Sequence, residues 1–374
     1  MKKVLIFTYY WPPAGGVAVQ RWLKFSKYLP EYGWEPIIVT VENGSYPYYD
    51  ESLLKEISPS LRVYRTKTFE PFELYNFLRG KKGKSLPVVS VGSKNQKSFF
   101  QKISEYVRAN YFIPDARKGW VPYAVKQAEI ILAEEKIDAI VTTGPPHSTQ
   151  LIGLQLKNKH AIKWLADFRD PWTGIFYNNI LPRTDSTRQK DNALESQVLQ
   201  TADEVTVISK GMEEGFKSRA KKISTLYNGY DEEDFLESEK QKNDDEIFTI
   251  RYVGNLMASQ NVSVFWKALS TYQNEIRVEV IGRVDEEVKK SIEENGISQM
   301  VSYSGFIEHS QAVKLMQSAQ LLLFGSFLLF FPTLSSWSTS PRFLIFSFLV
   351  LPNPISYRLP CFRIFLQNVI CNLF

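Results

Sequence analysis

The sequence predicts an α/β protein made of two Rossmann-like domains joined by a polar linker. The chain opens with an apolar run at residues 4–9, a Pro/Gly turn and an amphipathic segment that ends at Gly33, and a second apolar run follows at residues 36–41. This order of strand, helix and strand is typical of a parallel sheet with crossover helices. The highly charged residues 237–246 contain almost no apolar side chain, and the alternation restarts after them.

The remaining elements follow from two patterns. Short apolar runs bounded by turn residues predict strands that are buried on both faces, whereas apolar residues three and four positions apart predict helices. The predicted strands cover residues 137–143, 162–167, 204–209, 223–227, 248–253, 276–281, 301–304 and 321–324. The predicted helices include residues 147–159, 195–202, 211–218, 262–269, 285–294 and 311–319.

We therefore expect an N-terminal domain at residues 1–236, a linker at 237–246 and a partial C-terminal domain at 247–324. Residues 46–117 interrupt the first domain with aromatic residues, prolines and a basic run at 79–84. A solvated excursion from the sheet is the favoured interpretation of this segment. A flap that binds an acceptor or touches a membrane is the alternative.

Residues 325–374 differ in composition from the rest of the chain. They contain no Lys, Asp or Glu and are rich in Phe, Leu, Ser and Pro. These four residue types share pyrimidine-rich codons, whereas Lys, Asp and Glu need purine-rich ones, so the abrupt change predicts a shifted reading frame. A membrane-associated tail and an ordinary buried element are the alternatives, although the apolar runs are shorter than the roughly 20 residues of a transmembrane helix.

The composition argues against several classes of function. The 374 residues carry a net charge of only +5, which does not indicate a nucleic-acid-binding protein. Both cysteines fall after residue 324 and the three histidines are far apart, so we expect neither a disulfide framework nor a metal site. The first residues lack the long apolar region and cleavage site of a signal peptide. We expect a cytoplasmic protein, and peripheral contact with the inner membrane face remains open.

Gly15 and Gly16 lie between the first predicted strand and helix. Glycines at this place let the backbone approach a ligand, and the free N–H groups of the helix start favour phosphate. A tight turn without a ligand explains the pair about equally well. Neither G-x-G-x-x-G nor G-x-x-x-x-G-K-[ST] occurs, which disfavours an NAD enzyme and a P-loop enzyme.

Polar side chains follow two further predicted strands. His147 could donate to a substrate hydroxyl or phosphate, although a capping turn with an incidental histidine is the favoured interpretation of this turn by itself. Asp167, Arg169 and Asp170 form either a functional polar cluster or a structural ion-pair network. Asp191 is expected to precede a helix as a surface or cap residue.

Several segments, in one order along the chain, resemble bacterial GT-B glycosyltransferases, and more closely the family 4-like group of surface-polysaccharide synthesis. They are YYWPPAGGVAVQR, TTGPPHS, LADFRDPW, ADEVTVIS, LYNGYDEEDF, RYVGNL, VEVIGR and VSYSGFIEHSQAVKLMQSAQLLLF, and the resemblance covers about residues 1–324. It implies two facing Rossmann-like domains, of which the second is incomplete here. It also implies transfer of a sugar from a nucleotide-sugar donor to a glycan or lipid-linked acceptor, with anomeric retention and without a metal or cofactor.

The resemblance further implies roles for individual residues. His147 and Asp170 would be catalytic, and Asp167 and Arg169 would bind the acceptor. The residues implied in donor binding are Gly15, Gly16, Gly254, Asn255 and Arg283.

Two departures from the family pattern predict weak donor binding. Many family members have an Arg and a Lys where this chain has Asn255 and Gln260. Their donor-site glutamates follow the strand predicted at 321–324, but this chain has no acidic residue after Glu308. We therefore expect an impaired transferase. The alternatives are a non-catalytic binding pseudoenzyme and a nucleotide-sugar epimerase of the same fold.

Overall fold

The structure, a computed structural model, describes residues 1–69, 99–175, 178, 181–236, 247–325 and 348–351. The described chain forms two units, one from Met1 to Tyr230 and one that begins at Asp231. The basic run at 79–84, the linker at 237–246 and most of residues 325–374 lie outside the described residues. The domain boundaries and the shifted reading frame therefore stay predictions.

The first unit is built on a seven-stranded parallel sheet. In chain order its strands are β1 (Lys2–Phe7), β2 (Trp34–Val41), β3 (Arg62–Thr66), β4 (Ala139–Gly144), β5 (Lys163–Phe168), β6 (Glu204–Val207) and β7 (Ile223–Thr225). Its helices are α1 (Val17–Tyr28), α2 (Phe99–Tyr111), α3 (Val121–Glu134), α4 (Gln150–Lys159), α5 (Asp185–Thr201) and α6 (Lys210–Lys217). The strand order in space is β3-β2-β1-β4-β5-β6-β7.

Strand β1 lies inside the sheet, where Val4 pairs with Pro36 of β2 on one side and with Ala139 of β4 on the other. Leu5 and Ile6 have no solvent exposure, as expected of a strand that is covered on both faces. The chain runs outward from β1 through β2 and β3, and later outward in the other direction from β4 to β7. The connections after β1 and β4 therefore diverge, which opens a crevice at their carboxyl ends where such sheets bind ligands.

The second unit contains a five-stranded sheet with the order β10-β9-β8-β11-β12. Its strands are β8 (Phe248–Val253), β9 (Ile276–Ile281), β10 (Val301–Gly305), β11 (Leu321–Gly325) and β12 (Phe348–Leu351). Its helices are α7 (Glu233–Leu236), α8 (Ser263–Leu269), α9 (Glu286–Glu294) and α10 (His309–Gln317). Ile250, Trp266, Val278 and Ile292 belong to its own apolar core.

Three differences from the sequence predictions concern whole elements. Strand β3 lies within the segment that was expected to leave the sheet, and it pairs with β2 from Arg62 to Thr66. Helix α5 begins at Asp185, so Asp191 lies inside a helix and does not precede one. Strand β12 lies in the segment that was expected to have a shifted reading frame, and it pairs antiparallel with β11.

No helix in the ranges that the structure describes is both long and apolar enough to cross a membrane.

Candidate active site

Asp167, at the carboxyl end of β5, is a fully buried carboxylate with five hydrogen-bond donors. Arg21 of α1 donates through Nε to Oδ2 at 3.2 Å and through Nη2 to Oδ1 at 2.9 Å. The other donors are Trp22 Nε1, Thr143 Oγ1 and Thr206 Oγ1, at 2.8–2.9 Å. Burial alone would raise the pKa of Asp167, but the charge and hydrogen bonds of Arg21 outweigh it and lower the pKa. This geometry favours the structural interpretation of Asp167, and an acceptor contact stays a prediction.

Arg21 was not singled out from the sequence. Its Nη1 atom also donates to the Tyr227 carbonyl at 3.2 Å and to Asn228 Oδ1 at 3.0 Å. One buried guanidinium therefore ties α1 to the end of β5 and to the segment after β7. The only local signal was its place in the turn-helix segment after β1, because its partners lie 146 or more positions away.

Arg169 connects a loop and a helix start at the carboxyl ends of β4 and β1. It donates through Nη1 to the Ala18 carbonyl and through Nη2 to the Pro145 carbonyl, each at 2.5 Å. Its Nε atom is buried and has no hydrogen-bond partner among the described residues. Burial lowers the pKa of Arg169, and the charge of Asp167 offsets part of this effect. Because both terminal nitrogens bind backbone, Arg169 joins the loop after β4 to the first turn of α1.

His147, just after β4, is 6% exposed, and neither ring nitrogen has a hydrogen-bond partner in the described part of the chain. Its ring stacks on Trp172, with centroids 5.5 Å apart and planes within 5°, and at 6.1 Å on Phe168. Burial, together with the positive charge of Arg169, lowers the pKa of His147 from 6.5 to about 3. The imidazole is therefore neutral at pH 7, with one donor and one acceptor nitrogen to offer.

Asp170 is the half-buried carboxylate of this region, and it makes no hydrogen bond or ion pair with any residue that the structure describes. Burial raises its pKa, and the charge of Arg169 opposes this rise. It differs in this respect from Asp167, whose oxygens are occupied. Of the two acidic candidates, Asp170 thus retains the capacity to accept a proton or a hydrogen bond from a ligand.

Asp191 was expected at the surface, but it is 1% exposed and lies inside α5. Its carboxylate accepts from Trp172 Nε1 at 2.8 Å and from Arg183 Nη1 at 2.5 Å. Burial raises the pKa of Asp191, against the Trp172 hydrogen bond and the Arg183 charge. The prediction was wrong because a lone acidic residue in a polar stretch gives no sign of a distant indole partner.

The helix starts at this edge of the sheet differ in how they are capped. The backbone N–H and the hydroxyl of Ser148 both donate to Asp115, at 2.8 Å, so a carboxylate already occupies the start of the turn before α4. Helix α1 begins after Gly16, whose φ is +91°, and no side chain in the described residues caps it. The Gly15 N–H donates to the Tyr48 carbonyl at 2.9 Å. The first turn of α1 is therefore an uncapped, positively polarised helix end at the carboxyl end of β1.

In the second unit, Gly254 and Gly282 follow β8 and β9. Gly282 has φ +127°, and a Cβ placed on it would lie 2.1 Å from the Gly254 carbonyl oxygen. The two strand ends therefore need glycine to approach each other this closely. Asn255 and Arg283 lie beside them, and the Arg283 N–H donates to Asn255 Oδ1 at 3.3 Å.

The structure thus brings the first-unit candidates together at the carboxyl ends of β1, β4 and β5, and places the second-unit candidates at the ends of β8 and β9. The individual roles of all these residues stay predictions. No group of three or more His, Cys, Asp or Glu side chains within the described ranges could hold a metal ion.

A family model described as "Glycosyl transferases group 1" matches residues 233–332, which lie mainly in the second unit. None of the curated protein sequences matches the chain.

Many solved structures share the fold at low sequence identity. Sucrose-phosphate synthase from Thermosynechococcus elongatus has a TM-score of 0.52 and 14% identity over 86% of this chain and 75% of that one. Anabaena HepE, in complex with UDP and glucose, has a TM-score of 0.51 and 14% identity over 87% and 74% of the two chains. A variant of S. aureus TarM, in complex with fondaparinux, alpha-GlcNAc-glycerol and UDP, has a TM-score of 0.52 and 10% identity over 86% and 80%. The chain therefore has the α/β fold of GT-B glycosyltransferases, as predicted.

Proposed function

We propose that this protein is a glycosyltransferase that moves a sugar from a nucleotide-sugar donor to a glycan or lipid-linked acceptor in surface-polysaccharide synthesis. The match of residues 233–332 to group 1 glycosyl transferases supports the reaction class. The observation that carries the proposal within the site is the neutral His147 imidazole. Its two buried, unpartnered nitrogens, in the part of the chain described, need a polar ligand to satisfy them, and it lies at the crevice of the first sheet.

In this proposal His147 hydrogen-bonds a hydroxyl of the transferred sugar. A neutral imidazole suits a hydroxyl because it donates from one nitrogen and accepts at the other. It adds no positive charge next to the sugar, whose own positive charge grows in an oxocarbenium-like transition state. The low pKa of His147 keeps this state across the physiological range.

Asp170 would receive the hydrogen bond or the proton of the attacking acceptor hydroxyl. Its carboxylate is open to a ligand, and burial raises its pKa towards the range that suits proton transfer. Arg169 would act by fixing the loop that carries His147 to the start of α1. Asp167 would keep β5 and α1 in place beneath the site.

The leaving nucleotide diphosphate would be stabilised by electrostatics, without a metal ion and with retention of anomeric configuration. Two features support this arrangement. Within the second unit, Arg283 follows β9 beside Gly282 and Gly254, which permit close backbone approach. Considered by itself, the first unit has an uncapped helix start at Gly16 that favours an anion. Chelator-treated protein should keep any activity that it has.

We further propose that donor binding is impaired in this chain, and that the protein acts on the cytoplasmic side of the membrane. Asn255 and Gln260 are neutral where a diphosphate needs positive charge, and the sequence has no acidic residue after Glu308 to contact a ribose or a sugar. A shifted reading frame after residue 324 accounts for the missing acidic segment.

The first experiment is to resequence the encoding DNA across codon 324 and to translate all three frames downstream. We expect one other frame to encode a charged α/β continuation with a pair of glutamates. The repaired chain should then release nucleotide from UDP-glucose, UDP-N-acetylglucosamine or GDP-mannose only when a lipid-linked or glycan acceptor is present. Interconversion of the nucleotide sugar without an acceptor would instead identify an epimerase, and acceptor binding without donor binding would identify a pseudoenzyme.

Calorimetric titration of the chain as it stands tests the impairment separately. We expect no binding of these three nucleotide sugars at micromolar concentrations. A micromolar Kd would overturn the impairment while leaving the reaction class intact. In the repaired chain, Asp170→Asn should lower kcat by about 100-fold or more, in line with loss of a general base. The exposed Asp185 of the same unit provides the matched control, because Asp185→Asn should not change kcat.

A further inference from the structure

We propose that Trp172 is a positioning residue that sets the plane of the His147 imidazole, and that Asp191 holds Trp172 for this purpose. The proposal rests on the proposed function, because it is that function which gives His147 a substrate contact. It adds two residues that the sequence did not single out for the site.

The unusual feature of His147 is how its ring is oriented. A functional histidine is commonly oriented by a hydrogen bond to one ring nitrogen, which leaves the other for the reaction. Here neither nitrogen has such a partner within the described residues. Only packing is left to fix the ring, and both nitrogens stay available to a ligand.

The packing comes mainly from Trp172. The two ring planes are parallel to within 5°, at a centroid separation of 5.5 Å, whereas the Phe168 ring is farther away and tilted by 29°. Gly144 borders the ring on another side, since a Cβ on Gly144 would lie 3.2 Å from His147 Nδ1. The imidazole thus lies against an indole face, next to a position where no side chain intrudes.

Trp172 is itself held at both its side chain and its backbone. Its Nε1 donates to Asp191 Oδ1 at 2.8 Å, and its carbonyl accepts from Asn178 Nδ2 at 2.9 Å. One helical turn after Asp191, the buried carboxylate of Glu195 accepts the N–H of Thr173 at 2.7 Å. Helix α5 therefore fixes the indole and the next peptide group with two carboxylates on one face.

The competing explanation is that Trp172 and Asp191 have a purely structural role. The free-energy cost of burying the Asp191 carboxylate argues against it. Burying a carboxylate is expensive, and an apolar residue of similar volume often stabilises a protein equally well or better. An apolar residue would leave the indole N–H unpaired and the indole free to tilt. The observed arrangement keeps the indole in a single plane, which matters most if another ring depends on that plane.

The test uses imidazole NMR on the complete chain, which contains only three histidines. His160 and His309 each contact a carboxylate, of Glu129 and Asp234 respectively, so their ring environments differ from that of His147. The charged groups around His147 to consider are Arg169, Asp170, Asp115 and Asp191, and none of them is altered in the Trp172 variants. His147→Gln assigns the His147 signals.

We expect wild-type His147 to remain unprotonated down to the acid limit of the fold. Trp172→Ala should raise its pKa from about 3 by more than one unit, because solvent reaches the ring face. Trp172→Phe should restore most of the low pKa, because a ring face is retained. Trp120→Phe is the control, since it removes another buried indole hydrogen bond, to Thr66, without touching His147.

Asp191 is tested in the same way. Asp191→Ala should broaden or shift the His147 signals, and Asp191→Asn should reverse most of this change because its carbonyl still accepts from the indole. Unchanged His147 signals and pKa in folded Trp172→Ala protein would overturn the proposal. If that variant does not fold, the same criterion applies to Asp191→Ala compared with Asp191→Asn.

The repaired transferase supplies a second readout. Misplacing a substrate-contacting group by about 1 Å can cost on the order of 100-fold in rate, so Trp172→Ala should lower kcat strongly and leave the donor KM within about threefold. Equal decreases of kcat in Trp172→Ala and Trp120→Phe would contradict the positioning role of Trp172. Because the NMR result does not depend on catalysis, positioning can succeed or fail independently of the transferase assignment.

Discussion

The Arg21 guanidinium binds both oxygens of the Asp167 carboxylate through two hydrogen bonds, in an ion pair whose side chains are 2% and 0% exposed. Three strands and a helix meet at this pair, because Thr143 of β4 and Thr206 of β6 also donate to the Asp167 carboxylate of β5. Such geometry is the strong form of an ion pair in proteins. Its main effect is on the integrity of the first unit, on which the crevice depends.

Arg21→Gln should destabilise the first unit by about 3–5 kcal/mol, because it leaves a buried carboxylate without its compensating charge. Denaturant unfolding monitored by tryptophan fluorescence measures the loss. Lys210→Gln is the matched control, since the Lys210–Glu213 pair is exposed and should contribute nothing measurable. Equal unfolding midpoints for the two variants would contradict this interpretation of the pair.

His147 should make the stability of the first unit depend on pH. Because the folded-state pKa of about 3 lies below the ordinary value of 6.5, the unfolded chain binds the extra proton between these values. The stabilisation is complete above pH 6.5, and each further pH unit of acidification down to about pH 3 removes about 1.4 kcal/mol. His147→Phe keeps an aromatic ring and should lose this part of the dependence. A parallel pH profile in wild type and variant would count against the buried neutral imidazole.

Gly282→Ala should strongly destabilise the second unit. Its positive φ costs an L-residue about 1–2 kcal/mol, and the overlap of the new Cβ with the Gly254 carbonyl adds to this strain. Gly296→Ala isolates the overlap, because Gly296 also has a positive φ but has open space around its Cα. The free energy of unfolding of Gly282→Ala should be lower than that of Gly296→Ala by at least about 1 kcal/mol. Equal losses would show that backbone strain alone requires Gly282.

Ending the chain at Gly325 should increase aggregation. This truncation removes β12 and exposes the backbone N–H and C=O groups of β11 that now pair with residues 348–351. Light scattering of the full and shortened chains measures the effect. Val350→Pro should also increase aggregation, because proline cannot donate a backbone hydrogen bond to the neighbouring strand. Val350→Ala should not increase it. Lower scattering in the shortened chain would instead favour an unpacked tail of shifted frame.

The strands of both sheets could largely be predicted from the sequence. Phe248–Val253 and Ile276–Ile281 agree with the predicted bounds, because buried parallel strands appear as continuous apolar runs between turn residues. Strand β3 escaped prediction because Arg62–Thr66 is half-buried and charged, as an edge strand often is. Strand β12 escaped it because the composition of its surroundings favoured a shifted frame over any folded element.

Only those candidate site residues that lie in turns after predicted strands could be located from the sequence. The positions of His147 and Asp170 followed from the rule that ligands bind at the carboxyl ends of parallel strands. The supporting contacts could not be predicted in this way. Arg21 binds Asp167 across 146 positions, and Trp172, in a loop, donates to Asp191 in a helix. Hydrogen bonds between distant residues leave no periodic signal in the sequence.

The ties made by Arg21 also bear on how the chain folds during synthesis. Arg21 is synthesised early, but its last hydrogen-bond partner, Asn228, follows 207 positions later. At roughly 5–20 residues per second, a ribosome needs about 10–40 seconds to cover that distance. Throughout this time the Arg21 cation lacks its full set of partners, and once Asp167 has been made, its carboxylate lacks Thr206 for a further 39 positions. The nascent first unit is therefore exposed to chaperones and proteases until its last strand and the turn after it have emerged.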